Sequence, residues 1–145
     1  MSKKQRGCSV SDSKNIKLEI ITPNKVVFSK DVQSVTLPGE VGSFQVLYNH
    51  APILSNLSIG QIKVQNVDDS IEYFAASGGF AVVLENVVTV LSETTEKSDL
   101  IDVKRAEEAL ERAKSRIKEK AANLDYERAF LAMERAKNRL RISQK

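Results

Sequence analysis

Apolar residues recur at every second position from Ile16 to about Ser92, and at every third or fourth position after Lys97. The first spacing places alternate side chains on opposite faces of a strand. The second draws a stripe down one side of a helix. No single layer accommodates both periods, so the chain divides into a β part and a helical part. IKLEI, KVVF, VQSVTL, SFQVLY, IGQIKVQ, SIEYFA, GGFAVVL and VVTVLS read as strands. Thr22-Pro23-Asn24, Pro38-Gly39-Glu40, Asn49-His50-Ala51-Pro52, Asp68-Asp69 and Glu85-Asn86 read as the turns between them. Many short strands at this spacing predict an antiparallel sandwich or barrel.

The helical part is written twice. IDVKRAEEALERAKSRI at 101–117 returns as LDYERAFLAMERAKNRL at 124–140. Ser98-Asp99 is the expected N-cap of the first copy, with Asp102 adding negative charge to its first turn. Val103, Ala106, Leu110, Ala113 and Ile117 form its stripe, and Ala129, Met133, Ala136 and Leu140 form that of the second. Residues 99–145 contain neither Gly nor Pro, and the Ala121-Ala122-Asn123 region is the expected bend, with Asn123 and Asp125 as caps. The stripes predict an antiparallel hairpin glued by alanine, a side chain that buries little area and therefore stabilises weakly. Such a hairpin rests on the β domain and can leave it.

Charge divides along the same line. Residues 15–98 hold 5 basic and 9 acidic side chains, and residues 99–145 hold 13 and 9. The two parts therefore suit different partners. One cysteine, Cys8, excludes an internal disulfide. No apolar run approaches the ~18 residues of a spanning helix. No secretory h-region follows the start, and residues 1–14 read as a disordered polar tail.

Catalytic constellations are missing. There is no G-x-x-x-x-G-K-[ST], a single His gives no triad pattern, and one His with one Cys leaves a zinc site only an all-carboxylate set. His50 reads as a turn or interface residue. Ser77-Gly78-Gly79 reads as a bulge or tight strand entry. The repeat instead sets arginines at i, i+7 and i+11: Arg105, Arg112 and Arg116, then Arg128, Arg135 and Arg139. With a bend near Ala122, antiparallel pairing levels Arg105 with Arg139, and Asp102 lies one turn from Arg105. Converging guanidiniums suit a polyphosphate. The same pattern is also compatible with a solvated face of ion pairs such as Glu108–Arg112, or with an acidic protein partner. Few aromatics accompany these charges, so nucleic acid is not expected.

Three ordered stretches carry a resemblance: LPGEVGSFQVLYNHAPILSNLSIGQIKV (37–64), SGGFAVVLENVVTVL (77–91) and IDVKRAEEALERAK (101–114). The chain resembles the epsilon subunit of F-type ATP synthase, the counterpart of the mitochondrial delta subunit, over about residues 15–142. The resemblance implies an α+β fold, with an N-terminal antiparallel β-sandwich at 15–98 and a C-terminal antiparallel two-helix hairpin at 99–145. It implies a non-catalytic central-stalk subunit that couples proton flow to ATP synthesis. Its sandwich would meet the gamma subunit and the c-subunit ring. Its hairpin would extend along gamma to the catalytic alpha/beta head and restrain ATP hydrolysis.

Membrane association would come only through the complex, at the cytoplasmic face of a bacterial inner membrane or the stromal face of a plastid thylakoid. No cofactor is required on this resemblance, but ATP is implied as a regulatory ligand. Glu96, Asp102, Arg105, Arg128, Arg135 and Arg139 match the nucleotide-binding positions, and a free-standing ATP-sensing protein is the alternative reading. Glu40, Ser43 and His50 are the implied subunit-interface positions. The family loop usually reads G-D-F-G-V-L-P, so Ser43 replaces a carboxylate and Gln45 a glycine, which leaves Glu40 to supply the charge.

Overall fold

The computed structural model describes residues 14–119 and 125–145. The expected bend at 121–123, Cys8 and nearly all of the N-terminal tail lie outside the described residues. Seven strands come first: β1 (Ile16–Ile21), β2 (Val26–Gly39), β3 (Gly42–Val46), β4 (Ile53–Asn66), β5 (Ile71–Leu84), β6 (Val87–Ser92) and β7 (Thr95–Lys97). A 3-10 turn, Ser98–Leu100, leads to helices α1 (Val103–Glu119) and α2 (Tyr126–Ser143).

The strands are fewer and longer than their apolar runs suggest. KVVF and VQSVTL are one 14-residue strand, β2, and SIEYFA and GGFAVVL are one 14-residue strand, β5. Alternation stumbles within each without breaking the ladder, because neighbours pair across the irregularity. The sandwich closes on itself. β1 pairs β2 on one side and β6 on the other, so β1, β6, β5, β4 and β2 form a ring, with β3 added on β2. The β1–β6 pair is parallel, unlike the antiparallel pairing expected throughout. A closed ring of five strands has no other choice, because an odd number of directions cannot alternate all the way round.

The inward positions fill one core. Ile16, Leu18 and Ile20 of β1 are buried with Val32, Val35 and Leu37 of β2, and with Val88 and Val90 of β6. Phe28 and Phe74 meet edge to face with ring centres 5.6 Å apart. Glu85 and Asn86 both have positive φ, 48° and 64°, and close the two-residue hairpin between β5 and β6.

The helices sit outside this core. Among the described residues, seventeen buried ones form the β core, whereas the cluster under the hairpin holds Ala75, Ile101 and Ile142, with Tyr73 packed against them. α2 packs on β4, β5 and the 3-10 turn, while α1 packs on α2. The seam between helices is made of alanine: Ala106 and Ala113 are the buried residues of α1, and Ala129 and Ala136 are among those of α2. Val103, placed in the stripe by its spacing, is 45% exposed. α1 starts later than Ser98-Asp99 would have it. Those residues belong to the 3-10 turn, and the Asp102 carboxylate caps α1 by accepting from Arg105 N–H at 3.1 Å. Asp125 caps α2 in the same way, accepting from Arg128 N–H at 3.1 Å. The repeated D-x-x-R is therefore first a helix start.

β6 and β7 continue each other along β5 and part at Glu93–Thr94, where β5 runs through Gly78 and Gly79. Gly79 has φ 137°, and a Cβ there would stand 2.0 Å from the Leu91 carbonyl oxygen. The backbones approach too closely for any side chain. Gly79→Ala should cost at least about 2 kcal/mol of unfolding free energy, from strain and displaced pairing together. Urea denaturation measures it, and a loss below about 0.5 kcal/mol would count against this close approach.

Candidate functional site

The arginines of the two copies meet across the alanine seam. Their i, i+7, i+11 spacing keeps each trio on one side of its helix. Alanines floor the space between. A cavity of about 510 Å³ is lined by Glu96, Asp102, Arg105, Arg112 and Arg139, among others. A second, of about 750 Å³, shares Ala109, Arg112 and Arg139 with it and adds Arg116, Arg128 and Arg135. The two are contiguous, so all six repeat arginines line one open groove along the hairpin.

The structure thus brings Glu96, Asp102, Arg105 and Arg139 to one end. Arg128 and Arg135 line the second cavity together with Arg139, and all three also border a smaller cavity against Ser77, Glu93 and Thr94. Arg112 bridges the two larger cavities. It belongs to the arginine series but not to the family's nucleotide motif, and its i+7 spacing from Arg105 is the sequence signal for it.

Most of these guanidiniums have no carboxylate partner within ion-pair distance among the described residues. The exception is Arg139, whose Nε donates to Glu96 Oε1 at 2.6 Å, with both side chains about one-third exposed. The Glu108–Arg112 pair that the i,i+4 spacing offers is not formed. The intrahelical pairs present are Glu111–Lys114 and Glu134–Lys137, at 4.0 and 3.7 Å, both exposed and weak. Asp102 already spends one carboxylate oxygen on its cap and keeps the other for the groove. The charge and donor set of this groove suit an anion, with one or two acceptors at its Glu96–Asp102 end. Among the described residues, no group of three or more His, Cys, Asp or Glu side chains is placed to hold a metal.

Glu40, Ser43 and His50 lie away from this groove. Glu40 sits in the turn after β2, where its backbone N–H donates to Asn56 O and its carboxylate accepts from Asn56 Nδ2 at 3.3 Å. Ser43 is exposed on β3, opposite Pro38. His50 is half-buried, and its Nδ1 lies 2.7 Å from Ala51 O. Val41 between the first two is fully exposed. A second apolar surface lies on the outer side of β4, β5 and β6. There Leu54 stands opposite Val82 and Phe80 opposite Leu91, all exposed by a third or more. Exposed apolar surface of this kind is suited to docking another protein. Among the described residues no helix is long and apolar enough to cross a membrane.

Two family models match in tandem. The ATP synthase delta/epsilon chain β-sandwich domain covers residues 15–98, and the long α-helix domain of the same chain covers residues 99–144. An ATP synthase epsilon chain of Desulfatibacillum aliphaticivorans is 43% identical over 104 residues, covering 72% of this chain and 74% of the relative. That of Desulfosudis oleivorans is 42% identical over 106 residues, covering 73% and 80%. Among solved structures, a chain of the Euglena gracilis mitochondrial ATP synthase OSCP/F1/c-ring assembly matches with a TM-score of 0.76 at 21% identity, covering 86% of this chain and 78% of that one. A chain of the Tetrahymena thermophila central stalk and c-ring matches with a TM-score of 0.56 at 19% identity, covering 88% and 92%.

The strand that feeds the hairpin is pinned by charge. Lys97 Nζ lies 2.9 Å from Glu72 Oε1, and Lys30 lies 3.8 Å from the other oxygen. Burial alone would push the Glu72 carboxyl up, but hydrogen bonds from Lys97 and Asn66, with the charges of Lys97 and Lys30, hold it below its ordinary 4.5. A carboxyl depressed on folding contributes stability above its unfolded pKa and loses it as pH falls through the folded value. Lys97 is raised by the same hydrogen bond and charge, so its contribution persists until strongly alkaline pH. Glu72→Gln should therefore lower thermal stability at pH 7 and flatten the loss seen below about pH 4.5. Melting curves from pH 2 to 8 check this, and parallel acid limbs in parent and variant would refute it.

Proposed function

The chain belongs to the ATP synthase delta/epsilon family, and we propose that it is the non-catalytic epsilon subunit of a proton-translocating rotor. In this reading it couples proton flow to ATP synthesis and restrains ATP hydrolysis through its hairpin. The observation that carries the reading is the tandem match of sandwich and hairpin, in order, across nearly the whole described chain. The structure supplies surfaces suited to each role. The apolar outer side of β4–β6 fits the gamma subunit. The exposed Glu40–Ser43 turn, with Val41 at its tip and His50 beyond it, fits the loops of a c-subunit ring. The basic helices fit acidic surface in the alpha/beta head, toward which opposite charge steers them. The complex holds the protein peripherally at the cytoplasmic face of a bacterial membrane.

The arginine groove is the regulatory element of this proposal. ATP occupies it with phosphates among Arg105, Arg112, Arg135 and Arg139, and Glu96 or Asp102 accepts from the ribose or base. Binding across both helices favours the docked hairpin, because only that arrangement assembles the groove.

Two experiments test this. Deleting residues 99–145 should relieve inhibition of a reconstituted catalytic head while gamma binding persists; equal inhibition by both forms defeats the regulatory claim. Calorimetry on the isolated chain should show ATP binding, weakened at least about tenfold by Arg105→Ala or Arg135→Ala through loss of a charge-assisted hydrogen bond. No heat at millimolar ATP removes the nucleotide and leaves the stalk assignment intact.

A further inference from the structure

The face that α2 turns to the sandwich contains one buried polar residue. Asn138 is 6% exposed, among Ala136, Ile142 and the strand surface. Its Nδ2 donates to Gly60 O at 2.9 Å and reaches Ala76 O at 3.4 Å. Its Oδ1 accepts from an Arg141 guanidinium nitrogen at 2.7 Å. Arginine only donates, so this contact fixes which amide atom is the oxygen. Gly60 and Ala76 face each other in the β4–β5 ladder, so the amide straddles two strands. Gly60 is held to glycine here, since a Cβ would stand 2.6 Å from Pro38 Cβ.

We propose that the Asn138 carboxamide is a register lock: it makes the docked position of the hairpin unique without making it tight. Alanine and isoleucine contacts are non-directional. A helix sliding by one turn, about 5.4 Å, still finds apolar surface. The amide does not find partners there. Moved off Gly60 and Ala76, it is a buried donor without an acceptor, and such a group is strongly disfavoured. When the hairpin leaves the sandwich altogether, water satisfies the amide instead. Its hydrogen bonds therefore oppose misdocking far more than they oppose release. Leucine at 138 would do the reverse, adding apolar glue and no register.

The lock is tested on the full chain by hydrogen exchange and by amide NMR. Asn138→Asp keeps the shape but sets a carboxylate against two carbonyl oxygens. Exchange across residues 126–143 should accelerate at least about tenfold, the loss expected when a buried hydrogen-bonding group is misfit, while β4 and β5 amides stay as slow as in the parent. Asn138→Leu should keep α2 protected but split the resonances of Ala75, Ala76 and Ile142 into more than one set. Parent-like exchange in the aspartate variant overturns the proposal, as does a single set of resonances in the leucine variant. If the aspartate variant unfolds throughout, the leucine variant alone decides. Both readouts use the isolated chain, so they judge the lock whether or not the protein inhibits a catalytic head.

Discussion

The double pairing of β1, with β2 on one edge and β6 on the other, is the contact on which the rest of the molecule depends. It closes the sheet, removes two free edges and completes the core around Ile16, Leu18 and Ile20. A domain of this length has little core to spare. Closure lets each inward side chain of a short chain meet neighbours from several strands. Because the ring satisfies itself, the helices are not needed to cover an open face. They are free to serve something else.

That freedom shows in how the hairpin is held. A buried isoleucine contributes about 1.5–3 kcal/mol, whereas an alanine contributes much less. α2 anchors through Ile142, the Arg139–Glu96 pair and the Lys145 ammonium over the Tyr73 ring, with the amide of Asn138 setting its register. α1 holds to α2 through alanines and touches the sandwich little. Stability therefore falls from the ring to α2 to α1. A gradient of that kind places motion in the hairpin, in α1 before α2, without loosening the β-sandwich.

Much of this was legible in the sequence, because burial leaves a period behind. The strand–helix boundary, the alanine seam and the grouping of arginines all follow from spacings of two, three and four. Non-local geometry left no such trace. Nothing in IKLEI says that its second neighbour is VVTVL running parallel, since that follows only from the count of strands in the ring. In the sequence Asp102 is one of two acidic cap candidates, because Ser98-Asp99 also looks like a helix start. The structure separates them by placing a 3-10 turn first. Asn138 is a polar letter four before Ile142 and seven after Leu131, on a helix rich in polar letters. Its burial becomes visible only once β4 and β5 lie beneath it.

The groove itself carries an electrostatic consequence. Six guanidiniums share one open channel, and only Arg139 has a carboxylate within ion-pair distance among the described residues. Docking gathers these like charges, and their repulsion works against the weak apolar seam. An anion filling the channel reverses the sign of that contribution. Salt, which screens exposed charges, weakens both the repulsion among these arginines and any attraction to an anion, while it spares the buried amide of Asn138.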